Sequence, residues 1–454
     1  MGFLRHFCVD RGGQVLDRDG QKEITQTMPM TFLFGLRRAG TLAFCLSLAS
    51  AACSSDGNPS GAGGSAGDSS AGESNAAGSS AAGAGVGGAA SQAGQSSTGG
   101  AGAGAGAAAG APAGNAGSTG VAGAIDTGPA PSPKWVNATG NLANMPSECG
   151  NLTLLSTVPD SDTVIAGVAK GGLFASDNGG ATWKPLGTGS GSALITNRPS
   201  SIVYDPEHAG TFWESGIYND GGVYKTSDGG KTFARLGDIT HNDLVSVDFS
   251  DPERNTLLVG GHEQKQMLYL STDGGKTFTQ IGKNLPSDAH FSVAPLVLDK
   301  KTFLLGSCGY GDGACGVYRS TDSGQHWQRA SDLSAAARPL WASDGSIYWS
   351  LIYNSGIARG TSDGTSWSKT ADGITTAYPV ELPDGRVLTV SGDHVVVSAD
   401  RGSTWKPVGE KLPFEASGVV YSVRKKMLFV WQWDCGDVVL PDAIASAGFD
   451  YTQK

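Results

Sequence analysis

The sequence predicts an all-β fold, a seven-bladed β-propeller of four-stranded antiparallel blades that is preceded by a disordered linker. Two repeats with one shared period predict it. An eight-residue motif ending in an aromatic residue recurs along the C-terminal part of the chain, and a turn between two apolar runs recurs there seven times. Short antiparallel strands repeated at about 40–50 residues are typical of propeller blades.

The eight-residue motif, called the box below, has Ser or Thr first, Asp or Asn third, Gly fifth and an aromatic residue eighth. A shortened copy, TSDGTSW, lies at 361–367. The copy STDGGKTF at 271–278 is not a phosphate loop, because the glycine required five residues before the glycine of GKT is Leu270. The box positions are Ser176, Asn178, Gly180, Trp183, Thr226, Asp228, Gly230, Phe233, Ser271, Asp273, Gly275, Phe278, Ser320, Asp322, Gly324, Trp327, Ser398, Asp400, Gly402 and Trp405.

Each box residue type suits a structural clamp. The hydroxyl and the carboxylate can bond loop N–H groups, and glycine takes a backbone shape that other residues avoid. The aromatic side chain packs between blades. We therefore predict that the boxes stabilise the fold, in preference to binding calcium or a ligand.

The turns between apolar runs predict one hairpin in each blade. The unit that begins at Ala416 has no box after it, so it lacks an outer strand. The segment KWVNATG at 134–140 resembles WKPLGTG at 183–189, which follows a box. We predict that the N-terminal strand of the domain completes the seventh blade and closes the ring, which removes an exposed edge.

The region before the propeller predicts export. Residues 1–53 combine an over-extended start (1–27) with a lipoprotein-type signal peptide, in which an apolar run leads to Cys53. Lipidation of Cys53 would anchor the chain; cleavage after Ala51 or Ala52, or a plain anchor, are the alternatives. Residues 54–133 are rich in Gly, Ala and Ser and form a disordered tether, whereas 134–454 form the propeller.

Charge and cysteine content narrow the class further. The net charge of −10 argues against a nucleic-acid partner. The propeller region has Cys149, Cys308, Cys315 and Cys435. An even number of cysteines in an exported domain suggests the pairs Cys308–Cys315 and Cys149–Cys435; free thiols or a metal site are the alternatives. No metal-ligand spacing is present, and we expect no metal, no cofactor and a monomer.

The boxes and their spacing resemble the Asp-box (BNR) propellers of sialidases, xyloglucanases and sorting-receptor ectodomains, over 134–454. The resemblance implies the fold, a structural role for the boxes and two possible activities. A sialidase-like site would need three arginines and an F/Y-R-I-P stretch, which is absent. A xyloglucanase-like site would need an acid in the first blade, where Lys170 stands instead.

Ligands of propellers usually bind on the face opposite such clamps, on the loops between second and third strands and between blades. Those loops also hold Lys170, His241, Asp243, His262 and Glu263. The weak catalytic candidates there are Glu214, Asp312 and Asp434. The candidate ligand-binding residues are Trp213, Tyr218, Tyr310, Tyr353, Trp433, Arg198 and Arg338.

The sequence therefore favours an exported lipoprotein that is tethered to a bacterial outer membrane or cell surface through Cys53 alone. Its propeller would be a non-catalytic module that binds a glycan or a protein. The alternative is a divergent glycoside hydrolase, xyloglucanase-like or exo-sialidase-like, that uses loop carboxylates.

Overall fold

The structure is a computed structural model that describes residues 8–9, 15–16, 132–148, 150–219, 221–291, 294–308, 315–352, 356–370 and 378–453. In the unit Met1–Ser47, strands β1 (Cys8–Val9) and β2 (Val15–Leu16) pair antiparallel, although no element was predicted there. Apart from these strands, the predicted signal with Cys53 lies outside the described residues, as does the tether up to residue 131. Among the described residues, no helix has the length and apolar character needed to cross a bilayer.

The second unit is a ring of seven four-stranded antiparallel sheets, which confirms the predicted seven-bladed propeller. Blades 1 to 3 consist of β4 (Leu152–Thr157), β5 (Val164–Val168), β6 (Gly172–Ser176), β7 (Lys184–Pro185); β8 (Arg198–Tyr204), β9 (Phe212–Ile217), β10 (Val223–Thr226), β11 (Ala234–Leu236); β12 (Asn242–Val247), β13 (Leu257–Gly261), β14 (Leu268–Ser271) and β15 (Thr279–Gln280).

Blades 4 to 6 have the same order. Their strands are β16 (Ala294–Val297), β17 (Phe303–Ser307), β18 (Gly316–Ser320), β19 (Gln328–Ser331); β20 (Leu340–Trp341), β21 (Ile347–Ser350), β22 (Ile357–Gly360), β23 (Trp367–Lys369); β24 (Val380–Glu381), β25 (Val387–Ser391), β26 (His394–Ser398) and β27 (Lys406–Val408). Two short 3-10 turns, Gly140–Leu142 and Gly282–Asn284, lie in the connections between blades.

Blade 7 joins the two ends of the domain. It consists of β28 (Gly418–Ser422), β29 (Met427–Trp431), β30 (Ile444–Gly448) and, as its outer strand, β3 (Val136–Asn137). The hydrogen bonds continue past β3, because the N–H of Ala138 donates to the carbonyl of Ile444 over 2.8 Å. The predicted ring closure by the N-terminal strand is thereby confirmed.

The blades are held together by apolar side chains that project from both faces of each sheet. All five residues of Val164–Val168 are buried, because the sheet has a neighbouring blade on each side. One core cluster joins Leu154 and Ile165 of blade 1 to Ile202 and Phe212 of blade 2. The outer strands pack on one side only, and both residues of Lys184–Pro185 are exposed.

The boxes form the predicted turns between third and fourth strands, with one repeated set of hydrogen bonds. In blade 3 the Ser271 hydroxyl donates to Asp273 over 2.8 Å and accepts from the N–H of Gly275 over 2.8 Å. The N–H of Thr277 donates to the same carboxylate over 2.9 Å. Gly275 has φ of 88°, a left-handed conformation that favours glycine. Equivalent bonds recur in blades 1, 2, 4 and 6.

A buried ion pair ties blade 2 to blade 3 on the box side of the ring. The guanidinium of Arg254 donates to both carboxylate oxygens of Asp205 over 3.0 Å and to Glu207 over 2.7 Å. Burial is the largest single influence on the Asp205 carboxyl, and by itself it would raise the pKa. Hydrogen bonds from this guanidinium and from nearby N–H groups together outweigh burial and lower the pKa of Asp205 to about 2.

Of the two predicted disulfides, Cys308–Cys315 is present, with the Cα atoms 4.3 Å apart. Cys149 lies outside the described residues, so its pairing with Cys435 stays a prediction.

Candidate functional site

The loops between second and third strands lie on the face opposite the boxes. Each box contacts the hairpin between first and second strands, as when the N–H of Gly229 donates to Gly210 over 2.9 Å. Antiparallel pairing then places the other loops, including those between blades, at the far end of every blade. We call this far end the top face.

A hydrogen-bonded chain of three side chains crosses from blade 2 to blade 3 on the top face. The Tyr218 hydroxyl lies 3.1 Å from Nε2 of His262, whose Nδ1 lies 2.8 Å from Oδ1 of Asp243. A carboxylate at Nδ1 favours the proton on that nitrogen, so Nε2 is free to accept from the tyrosine. His262 is buried and Tyr218 is half-buried, which gives the chain one buried end and one accessible end.

His241 completes an aromatic cluster around this chain. Its ring centroid lies 5.2 Å from those of Tyr218 and His262, with interplanar angles near an edge-to-face arrangement. Burial, and then the neighbouring His262, lower the pKa of His241, which favours the neutral form of this imidazole. The cluster therefore presents aromatic and hydrogen-bonding groups on the top face.

Strained backbone accompanies these side chains. Tyr218 (φ 57°), Asn219 (φ 45°), His241 (φ 61°) and Glu263 (φ 48°) all have left-handed conformations. Asn and His tolerate this region, but Tyr and Glu adopt it at a cost of about 1–3 kcal/mol each. Such strain persists where the surroundings fix the loop, and it is common at binding sites.

Glu148 connects the loops of blades 1 and 2 on the same face. Its carboxylate lies 2.7 Å from Nζ of Lys170 and accepts a hydrogen bond from the amide of Asn219. Thr196 also donates to the carbonyl of Asn219 over 3.1 Å. Asn219 is thus fixed from two sides although its side chain is exposed.

Arg198 and Trp433 extend the polar surface to blade 7. The guanidinium carbon of Arg198 lies 5.9 Å from the centroid of the Trp433 ring. The N–H of Gly150 donates to the carbonyl of Asp434 over 3.3 Å, which holds this loop beside the segment that carries Glu148. We call Glu148, Tyr218, Asn219, His262 and Trp433 the top-face patch.

Two residues proposed from the sequence for ligand contact or catalysis lie inside blade 2. Trp213 is fully buried on β9, where it packs against Phe249 and Lys225. Glu214 follows it on β9 and is also fully buried. Both residues therefore lie in the core, because both faces of β9 are covered and all its residues are buried. A ligand on the top face cannot reach them.

Burial raises the pKa of Glu214 to about 8, and a hydrogen bond from Asn197 partly opposes the shift. The amide Nδ2 of Asn197 lies 3.3 Å from Oε2 of Glu214. Oδ1 of Asn197 and Oε1 of Glu214 have no hydrogen-bond partner among the described residues. Glu214 is thus a neutral carboxylic acid at pH 7.

The remaining candidates divide into three groups. Tyr218, Trp433 and Arg198 lie on the top face, and the half-buried Asp434 is beside them. Arg338 lies in a cavity at the centre of the ring. Tyr310, Asp312 and Tyr353 lie outside the described residues.

The sequence placed His241, Asp243 and His262 on top-face loops but gave no sign that they are bonded to one another. It did not single out Glu148 at all. An acidic residue next to Cys149, in the segment that closes the ring, was the available signal. Among the described residues, no group of three or more His, Cys, Asp or Glu side chains could hold a metal ion.

Neither a protein-family model nor a curated protein matches the chain. Among solved structures, it is similar to the GH74 xyloglucanase from Xanthomonas campestris, with 16% identity and a TM-score of 0.47 over 70% of this chain and 54% of that one. The chain therefore spans about half the length of that enzyme.

Two further solved structures are similar at the same level. YCF48 bound to D1 peptide has 14% identity and a TM-score of 0.45 over 72% of this chain and 100% of that one. The extracellular domain of a putative hybrid two component system from B. thetaiotaomicron has 11% identity and a TM-score of 0.48 over 66% and 40%. Similarities of this size carry no argument about activity.

The fold and the site define the class of protein. It is a seven-bladed β-propeller with a polar and aromatic patch on the face opposite its box turns.

Proposed function

We propose that this chain is an exported binding module of the Asp-box type, tethered to the membrane through a lipidated Cys53, and that its top-face patch binds a glycan. The observation that carries the proposal is the chain Tyr218–His262–Asp243. It presents an oriented hydroxyl beside the fixed amide of Asn219 on a strained, well-supported loop. Oriented hydroxyl and amide groups next to an aromatic ring match the hydroxyls and the apolar face of a sugar.

The shape and charge of the patch support a glycan over a charged partner. Lys170 is paired with Glu148, so these two charges are already compensated, and the Asp243 carboxylate is bonded to His262. Trp433 offers a half-exposed aromatic ring at one end of the patch. A neutral polyol can exchange its hydrogen bonds with water for bonds to these groups without a large desolvation cost.

The test is a glycan-array screen of the full chain, followed by titration of the best glycan. Tyr218→Phe should weaken binding about tenfold, the value of one well-placed hydrogen bond, and Trp433→Ala by at least as much. Tyr269→Phe is the matched control, because this tyrosine lies on β14, packs against the apolar cluster between blades 2 and 3 and is not part of the top-face patch. The absence of any bound glycan, or equal binding by Tyr218→Phe, would remove the glycan proposal, and a protein ligand would then be sought.

The tether has a separate test. Cys53→Ser should shift the chain from the membrane fraction to the soluble fraction, because a lipid chain is its proposed anchor. Labelling with a radioactive fatty acid should mark the wild type and not the variant. A variant that stays in the membrane fraction would disprove lipid anchoring and leave the binding proposal intact.

A second function, hydrolysis of a glycosidic bond, is favoured by one observation. The Tyr218 hydroxyl is bonded to a histidine that a carboxylate orients, which is the order nucleophile, base and orienting group. Incubation of the bound glycan with the chain should then release a shorter sugar, and Tyr218→Phe should abolish the release. Binding without release would restrict the patch to recognition.

A further inference from the structure

A cavity of about 210 Å³ lies at the centre of the ring, among the innermost strands. It is many times larger than the ~10–15 Å³ that one water needs. Leu154, Leu155, Leu340, Val419 and Val420 supply apolar walls, and Tyr204, Tyr378, Ser156 and Ser200 supply hydroxyls. The cavity is separate from the top-face patch, none of whose five residues lines it.

Arg338 is one of the two arginines that line this cavity. It precedes β20 by two residues and lines the wall beside the phenols of Tyr204 and Tyr378. No carboxylate within the described part of the chain forms an ion pair with it. Burial of the guanidinium lowers the pKa of Arg338. The buried Arg254, by contrast, has two carboxylate partners.

A hydroxyl group in the cavity lacks a hydrogen-bond partner among the described residues. The Tyr204 hydroxyl is buried beside Ser156, and no described residue forms a hydrogen bond of normal geometry with it. A buried hydroxyl without a partner usually marks the place of a water or of a ligand atom. A guanidinium and a free hydroxyl on the same wall would together hold an oxyanion.

The other charged groups near the cavity have interaction partners of their own. Arg424 lies 3.5 Å from Asp162, and Glu381 accepts bonds from Ser343. Asp160 and Glu381 are the carboxylates among the lining residues, and Asp160 has an interaction of its own. Asp243, which lies near enough to Tyr378 to act on its phenol, is bonded to His262. Arg338 is therefore the lining cation that has no ion pair among the described residues, and it faces a space with partly apolar walls.

We propose that this cavity binds a small organic carboxylate with an apolar body, its carboxylate on Arg338 and the Tyr204 hydroxyl. A single negative charge balances the guanidinium, whereas a phosphate dianion would leave a charge uncompensated in a partly apolar space. A guanidinium pairs with a carboxylate through two parallel hydrogen bonds. The apolar body would then cover the leucine and valine walls.

The experiment is thermal unfolding of the full chain with sodium hexanoate, at constant ionic strength kept with sodium chloride. Hexanoate should raise the Tm in a saturable way, because a ligand that binds only the folded state stabilises it. Arg338→Gln should weaken hexanoate binding by at least about tenfold, and Tyr204→Phe by about three- to tenfold. The control Arg401→Gln removes an exposed charge that does not line the cavity and should leave the binding unchanged.

Tyr204→Phe keeps the test valid if Arg338→Gln does not fold, because it removes one hydroxyl that makes no hydrogen bond of normal geometry with a described residue. No saturable shift up to about 50 mM hexanoate, or equal shifts in wild type and Tyr204→Phe, would overturn the proposal. Inorganic phosphate is a second probe, and a larger shift with phosphate than with hexanoate would overturn the carboxylate assignment. Top-face variants such as Trp433→Ala should bind hexanoate normally, so this result is independent of glycan binding.

Discussion

The backbone N–H of Gly150 donates to the carbonyl of Asp434 over 3.3 Å, so the chain neighbours of Cys149 and Cys435 are in contact. A second bond, from the N–H of Ser147 to the carbonyl of Asp437 over 2.8 Å, runs beside it. These two segments belong to opposite ends of the propeller sequence. A disulfide here would join the ring at the blade that already combines both ends.

We predict that Cys149 and Cys435 form a disulfide in the exported protein. Cys435→Ser should lower the free energy of unfolding by about 2–4 kcal/mol, because the loop that the bond closes includes most of the propeller. Peptide mapping without reductant checks the bond, and denaturant unfolding checks the energy. Loss of the Cys308–Cys315 bond, which spans seven residues, is the control and should cost less. Recovery of both cysteines as free thiols from the exported protein would contradict the prediction.

The ion pair between Arg254 and Asp205 predicts a large effect of one substitution. The exposed fractions of the two side chains are 4% and 1%, so neither can regain water when the other is removed. Arg254→Met should destabilise the fold by about 3–5 kcal/mol, the usual cost of an uncompensated buried charge. Urea unfolding gives the value.

The exposed pair Arg401–Asp344 provides the contrast for this measurement. Arg401→Gln should change stability by no more than about 1 kcal/mol, as expected for surface pairs. Replacing both partners in the double variant Asp205→Leu with Arg254→Met should recover part of the loss. Similar effects for Arg254→Met and Arg401→Gln would show that the buried pair has no special role.

The box carboxylates predict that the fold weakens in acid. Hydrogen bonds from the Thr277 hydroxyl and N–H lower the pKa of Asp273 to about 2. The equivalent threonines of the other boxes lower the pKa of Asp228 and the pKa of Asp400 to about 2. These groups bind protons more weakly in the folded state, so their contribution is complete above pH 4 and is lost as the pH falls towards 2. The Tm should therefore decrease between about pH 4 and pH 2.

Blade 1 supplies a natural comparison for this effect. Asn178 occupies the same box position and accepts from Ser176 and Thr182 without a charge. The triple variant with Asp228→Asn, Asp273→Asn and Asp400→Asn should keep these bonds and show a smaller loss of Tm in acid. An unchanged acid profile would mean that other carboxylates determine it.

The box and the hairpin repeat allowed the blade number, the strand order and the ring closure to be predicted, because these depend on local turns and on period. The site could be predicted only as a set of loops. The bond between Tyr218 and His262 joins residues of different blades, and neither loop carries a signal of its partner. Trp213 and Glu214 show the opposite limit, since the sequence placed them in a loop, whereas both lie in the first half of β9, where every residue is buried.

Glu214 predicts an unusual dependence of stability on pH in the neutral range. Its folded-state pKa of about 8 lies above the ordinary value of 4.5 because the carboxyl is fully buried. Between these values the folded state retains a proton that the unfolded state releases, so stability falls as the pH rises from 4.5 to 8.

Glu214→Gln has no proton to lose and should remove this decrease. At pH 8 the variant should exceed the wild type by on the order of 4 kcal/mol, and at pH 4 the two should be similar. Denaturant unfolding across this range measures the slope, with the exposed Glu253→Gln as the matched control, which should retain the wild-type slope. Parallel slopes for the wild type and Glu214→Gln would show that the carboxyl is ionised in the folded protein, and that water or a cation reaches it inside blade 2.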